Sequence, residues 1–260
     1  MDHWREAALL LVGHGSSRRS SAREATARLA DIIRERHLFA EVRDCYWREP
    51  PFLSLDLVSA RRVYVVPNFA GEGVFTRVLL PEKLGLSGPR TRLGDRTVVY
   101  CQPVGSHPRL ADLLHRRLLD RCHDEGIDAG GAAVLVIAHG SRSAEPSRTP
   151  LEVAARLRRF GSFAEVATAF IEQPPFVADW PGLVASPVVF AAPLLISEGM
   201  HAREDLPPLF GLSEPSGGPV GVAGRTAWLL PGIGRDPEVV SLILEQIAAA
   251  DDRDDSAAGK

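Results

Sequence analysis

Cysteine is scarce in this chain: three residues in 260, Cys45, Cys101 and Cys122, with no C-x-x-C pair. That excludes a thiolate zinc or iron–sulfur centre of the usual spacing, and a sparse, odd count speaks against a disulfide framework. A reducing, cytoplasmic setting fits. Basic excess is also missing: 30 Lys and Arg face 33 Asp and Glu, for a net charge of −3. A partner with a phosphate backbone calls for a positive surplus, so nucleic acid is not expected. Long apolar runs are absent as well. The first one, Ala7 to Val12, is too short to cross a bilayer or form a signal-peptide core, and it follows acidic and aromatic residues, so no membrane partner is expected. No His-rich tract is present. What remains is ordinary globular composition, 45% apolar and 24% charged. The length allows one large domain or two of roughly 125 residues.

The order of residues favours two, because the chain repeats itself. Val12-Gly13-His14-Gly15-Ser16 matches Ile137-Ala138-His139-Gly140-Ser141, and Glu41-Val42 matches Glu165-Val166. Pro50-Pro51-Phe52 matches Pro174-Pro175-Phe176, Glu72-Gly73-Val74 matches Glu198-Gly199-Met200, and Gly85-Leu86 matches Gly211-Leu212. A last pair, Val104-Gly105 and Ile233-Gly234, extends the series. Blocks in one order at nearly constant offset mark an internal duplication.

Each half reads as alternating strand and helix. Ala8–Val12 and Ala133–Ile137 are apolar runs ending in glycine-containing turns, as buried parallel strands do. Helices are expected near 21–37 and 149–159, and further strands at 41–45, 63–66 and 96–101, and at 165–170, 188–191 and 225–230, each half closing on a helix. Pro50-Pro51 and Pro174-Pro175 are placed in the first turns of helices, where proline is tolerated. The fold class is α/β: two similar βαβ lobes, each a parallel four-stranded sheet flanked by helices. The lobes are expected at 1–128 and 129–250, with the glycines at 126, 130 and 131 between them. The polar end, 251–260, reads as a disordered tail.

In open α/β sheets ligands bind beyond the carboxyl ends of the strands. Three such loops of the C-terminal half carry metal-ligand side chains: His139 after the first strand, Glu172 after the second, His201 after the third. Their spacings of 33 and 29 residues make no local motif, so the fold must assemble them. Two imidazoles, a carboxylate and an open position suit a divalent metal that is taken up and released. The N-terminal copy keeps His14 but has Arg48 and Phe75 where the C-terminal half has Glu172 and His201. That contrast marks one working site and one degenerate partner. His14 is expected to orient its loop or touch substrate.

His-Gly-Ser after a first strand, Phe-Ile-Glu and Pro-Pro after a second, and the run from Pro193 to Pro207 containing Ser-Glu-Gly-Met-His after a third resemble the class II tetrapyrrole chelatases, most closely the sirohydrochlorin chelatases of cobalamin and siroheme biosynthesis. The resemblance runs from about Leu9 to Ile247. It implies ATP-independent insertion of Co2+ or Fe2+, the metal being a substrate, into a sirohydrochlorin-type ring held in a cleft between lobes. It implies that His139, His201 and Glu172 bind the metal and accept pyrrole protons, which suits imidazole, both a ligand and a base near neutral pH. Ser141, Arg142 and Arg148, at the start of a helix, are then candidates for the carboxylates of the ring, with Ser16 and Arg18 on the pseudo-symmetric side and Arg203 as a further candidate. Many duplicated members of that family keep the site in the N-terminal half; here the full set lies in the C-terminal half. A non-catalytic carrier of tetrapyrrole or metal, and a chelatase for another tetrapyrrole, are the rival readings. Neither ATP nor an iron–sulfur cluster is expected, and both monomer and homodimer are open.

Overall fold

A computed structural model of the chain describes residues 2–16, 21–140, 148–196 and 204–258. It contains two five-stranded sheets of identical topology. The first, in order β2-β1-β3-β5-β4, is built from β1 (Ala7–Gly13), β2 (Glu41–Tyr46), β3 (Arg62–Pro67), β4 (Arg90–Leu93) and β5 (Arg96–Tyr100). The second, in order β7-β6-β8-β10-β9, is built from β6 (Ala132–Ala138), β7 (Glu165–Phe170), β8 (Val188–Pro193), β9 (Gly217–Val222) and β10 (Arg225–Leu229). β1 and β6 lie centrally, paired in parallel on both sides and buried along their whole length. Unbroken apolar runs suit such strands, because helices cover both faces of a parallel sheet.

Four strands per sheet were expected; the fifth is an antiparallel edge, β4 beside β5 and β9 beside β10. The cause is turn chemistry. Gly94-Asp95 and Ala223-Gly224 close two-residue hairpins, with positive φ at Gly94 (63°), Ala223 (49°) and Gly224 (77°). Such turns match the strand twist and return the chain at once as an antiparallel neighbour. The two Pro-Pro blocks also differ from expectation. Both bonds are cis and lie in loops, not in helix first turns. Each loop folds back so that Tyr46 N donates to Pro51 O at 2.9 Å, and Phe170 N to Pro175 O at 2.9 Å.

The duplication extends to the packing. One core joins Ala8, Leu10, Val12, Cys45, Leu53, Val58, Val63, Val65, Leu80, Leu84 and Val98. Each has a counterpart in the other core: Ala133, Leu135, Ile137, Ala169, Val177, Val184, Val189, Ala191, Leu206, Phe210 and Ala227. The second core has smaller residues at two positions, Ala169 for Cys45 and Ala191 for Val65, and also holds a large aromatic pair, Trp180 stacked on Phe210 at 5.0 Å. The polar braces repeat too. Glu41 accepts the backbone N–H groups of Ser59 and Ala60, each at 2.9 Å, as Glu165 accepts those of Ala185 and Ser186. Arg96 donates to the carbonyls of Leu55 and Val58, and Arg225 to that of Val184.

The compact units do not follow the division at residue 128. One comprises 1–107 and 236–260, the other 108–235. Helix α3 (Leu110–Asp124), which ends the first repeat, packs on α4 (Arg148–Phe160); helix α6 (Val239–Ala258), which ends the second, packs on α1 (Ser21–Glu35) and β3. The repeats therefore exchange their last helices. At the exits stand Gly105, whose added Cβ would fall on the backbone of Ala70, and Gly234, whose Cβ would fall on that of Ile196. Both N–H groups bond the loop they cross, Gly105 to Phe69 O at 2.8 Å and Gly234 to Leu195 O at 3.3 Å. Sequence periodicity reports a helix and its apolar face, but not whose sheet that face covers. Among the described residues no helix is long and apolar enough to cross a membrane.

The expected tail is an extension of α6, at least as far as 258. Asp251 anchors it: its carboxylate accepts from Trp4 Nε1 at 2.9 Å and from the Tyr64 hydroxyl at 2.8 Å, and pairs with His3 at 2.9 Å. Burial alone would raise the Asp251 pKa, but the hydrogen bonds from His3, Trp4 and Tyr64 outweigh it and hold the carboxyl below its usual range. A depressed pKa makes the contribution complete above the unfolded value near 4, and lost as pH falls through the folded one. Asp251→Ala is expected to cost about 1–3 kcal/mol at pH 7 by leaving buried donors unpaired. In urea melts the gap from wild type should shrink toward pH 3.

Candidate metal centre

The order β7-β6-β8 places the carboxyl ends of the first, second and third strands of the C-terminal repeat side by side. The chain leaves β6 for a neighbour on one side and later returns on the other, which is the switch point where α/β sheets bind ligands. His139 follows β6 directly. The β6–β7 ladder runs on past both strands: Ile171 N donates to Ala138 O at 3.1 Å, and Glu172 N to His139 O at 2.9 Å. Backbone pairing therefore sets the two side chains next to each other, 33 residues apart in sequence.

Gly140 makes this approach possible. Its φ is +82°, and a Cβ there would lie 2.8 Å from Gln173 Cγ and 3.1 Å from Phe170 Cβ. Only glycine combines that backbone with that contact at no steric cost. His139 Nδ1 lies 3.9 Å from Glu172 Oε2, with side-chain exposures of 44% and 23%. An ion about 2.1 Å from each of two donors holds them roughly 3–4 Å apart, so one metal can bridge this pair with little movement, and the exposure leaves room for further ligands. His139 Nδ1 also lies 3.3 Å from Gly140 O, a contact that orients the ring while no metal holds that nitrogen and it carries the proton.

Of the other expected residues, His201, Ser141, Arg142 and Arg203 lie outside the described residues, as does Arg18. Arg148 opens α4 and is exposed. Among the described residues no group of three or more His, Cys, Asp and Glu side chains could hold a metal ion. The structure thus brings together His139 and Glu172 of the expected set.

The N-terminal copy keeps the backbone frame and changes the side chains. Arg48 N donates to His14 O at 3.0 Å, as Glu172 N does to His139 O, so Arg48 occupies the Glu172 position. Gly15 has φ +69° and no room for a Cβ beside Glu49. Ser16 serves through its backbone, its N–H donating to Glu49 Oε1 at 2.9 Å. His14 Nδ1 lies 2.9 Å from Gly15 O, and its ring packs 5.3 Å from Phe75, which in turn packs 5.1 Å from Trp47 and 5.2 Å from Phe69. Where the C-terminal copy has a carboxylate beside its histidine, the N-terminal one has an aromatic cluster. Sequence reading missed Glu49, which braces its loop, and its counterpart Gln173, which lies against Gly140; their signal was the alignment of Trp47-Arg48-Glu49 with Ile171-Glu172-Gln173.

The sequence profile of CbiX matches residues 8–121 and again residues 133–250. The chain belongs to the CbiX family. The two matches meet the two repeats of this CbiX-family chain in turn. A probable sirohydrochlorin cobaltochelatase of Halobacterium salinarum is 31% identical over 269 residues, covering 94% of this chain and 91% of that protein. Among solved structures, CbiX, described as the terminal enzyme for biosynthesis of siroheme in denitrifying bacteria, superposes with a TM-score of 0.68 at 28% identity, over 94% of this chain and 98% of that one. A multi-domain protein of Deinococcus radiodurans, described as similar to chelatases with two additional domains, gives a TM-score of 0.74 at 29% identity over 92% of this chain. This chain spans 54% of that longer protein.

Gly140→Ala is expected to destabilise by about 2–4 kcal/mol, since it meets both a left-handed φ and a filled space. Gly161→Ala, with a φ of +69° but open surroundings, should cost only about 1 kcal/mol. Denaturant titration of both variants separates strain from clash; equal losses would contradict the close approach of loops 139–140 and 170–173.

Proposed function

We propose that this chain is a chelatase that inserts Co2+ or Fe2+ into a sirohydrochlorin-type tetrapyrrole without ATP, in cobalamin or siroheme biosynthesis. The observation that carries the reading is the His139–Glu172 pair, 3.9 Å apart and open to solvent at the switch point of the second sheet of a CbiX-family chain. His201 is the third donor in this proposal. Its counterpart in the first repeat, Phe75, packs against the counterpart of His139, and this supports the assignment.

The chemistry follows from the donors. Insertion exchanges two pyrrole N–H protons and the bound waters of the metal for four ring nitrogens. Imidazoles hold the incoming ion loosely enough to release it and accept the departing protons; Glu172 offsets the positive charge and passes protons to solvent. Ser141 and Arg142, with His14 and Ser16 in the other repeat, are proposed contacts of the ring and its carboxylates. Two oxygen- or nitrogen-rich donor types do not by themselves choose among first-row divalent ions. The relatives name both routes: one is a probable cobaltochelatase, the other a siroheme enzyme. The action is placed in the cytoplasm, in keeping with three free, buried cysteines.

The test is anaerobic absorbance of sirohydrochlorin mixed with protein and Co2+, then Fe2+. The metallated spectrum should appear faster than without protein. His139→Ala, His201→Ala and Glu172→Gln should each slow it by about 10²-fold or more, while the ring still binds. Ring binding with no metal entry above background would replace the enzyme by a carrier.

A further inference from the structure

We propose that the first compact unit carries a second binding site, for an organic anion, built from residues that take no part in metal binding. A cavity of about 690 Å³ opens at the carboxyl end of β5, between the π-helical turn Phe75–Leu79 with the short helix α2 (Leu80–Lys83) that continues it, and the later turns of α6. That is the size range of small-molecule sites. Three guanidinium groups line it, Arg77, Arg90 and Arg253, against two carboxylates, Glu72 and Glu82. Val78, Leu86 and Val99 supply apolar wall. A positive balance over an apolar lining selects an anionic head on an apolar body, and guanidinium forks suit carboxylate and phosphate oxygens alike.

Arg90 is the half-buried member, and its backbone is held firmly. It starts β4 opposite Val99, and the loop before it is pinned by Ser87 N to Thr91 Oγ1 at 3.0 Å, Thr91 Oγ1 to Gly88 O at 3.3 Å and Tyr100 N to Pro89 O at 2.7 Å. The Tyr100 hydroxyl donates to Thr76 O at 2.6 Å and ties β5 to the π-helical turn across the cavity. A site on rigid elements positions its donors before the ligand arrives.

The repeat supplies the second line of argument. Braces that serve the fold recur in both copies, as Arg96 and Arg225 do. Arg90 does not recur: Ser216 or Pro219 stands there, according to the side of the hairpin insertion from which the copies are aligned. Tyr100 becomes Leu229, and Cys101 becomes Leu230. Glu72 and Arg77 do recur, as Glu198 and Arg203, but Arg90, Glu82 and Tyr100 do not, so the half-buried arginine and the hydroxyl that line the cavity are particular to the first repeat and are not demanded by the architecture.

The probe is 8-anilinonaphthalene-1-sulfonate, an apolar aromatic with one anionic group, titrated into the full chain at low salt and followed by fluorescence. We expect one saturable class of sites, displaced by benzene-1,3,5-tricarboxylate or by pyrophosphate; whichever competes at lower concentration identifies a carboxylate or a phosphate ligand. Arg90→Ala should weaken binding at least tenfold, and so should Arg77→Glu, at an exposed position, with the fold of both variants checked by circular dichroism. His139→Ala should bind as wild type does. Binding unaltered in both arginine variants, or displaced by neither anion, overturns the proposal. Loss in His139→Ala alone would assign the probe to the metal site and overturn it equally.

Discussion

The central parallel strand of each sheet, paired on both sides, is the constraint on which the rest of this protein depends. β1 and β6 contribute no exposed residue, so their side chains are confined to apolar types, and the chain turns polar only where they end. The ladder that holds β6 to β7 also continues one pair beyond the strands, through Glu172 N and His139 O. The candidate ligands are thus placed by backbone hydrogen bonds of the fold itself. A side chain set by a sheet register moves less than one carried on a free loop, and this suits a site that must meet an ion at fixed distances.

Duplication gave the protein two such edges, and they have diverged in chemistry while keeping their frame. Cores, glutamate braces, arginine braces and loop glycines correspond pair by pair. The edge residues do not: Glu172 answers to Arg48, and the His14 ring is packed by Phe75 in a group with Trp47 and Phe69. Frame residues are held by packing density, where a change of one methylene group is felt. Edge residues lie at the rim of the cores, half-buried or exposed, and packing constrains them less. A site can therefore be lost from one copy, and another gained beside Arg90, on an unaltered scaffold.

The exchange of last helices binds the two repeats into one folding problem. α6 covers β3 and α1 of the first unit, and Asp251 joins it to Trp4 and Tyr64, 247 and 187 residues away in sequence. Neither repeat, cut at residue 128, would hold all the helices its sheet needs. Contacts of such high sequence separation carry a large loop-closure cost before they are rewarded.

By itself, the sequence determined the duplication, the α/β class, the buried central strands, the placement of His139 and Glu172 at strand ends, and the replacement of Glu172 and His201 by Arg48 and Phe75 in the first copy. All of these rest on local period or on comparison of one half with the other, and both kinds of signal survive in a linear string. The hairpins at Gly94-Asp95 and Ala223-Gly224 went unread, although their turn residues stand in the string, because the strands before them are short and one of them, Gly217–Val222, is rich in glycine. What the tertiary structure alone decided was pairing at a distance: which sheet receives α3 and α6, that the chain end is anchored through Asp251, and that Gly140 lets one loop settle on another until an imidazole and a carboxylate stand 3.9 Å apart. An apolar helix face fits any complementary apolar sheet. A polar residue near the terminus looks the same in sequence whether solvated or hydrogen-bonded, so only the assembled chain distinguishes them.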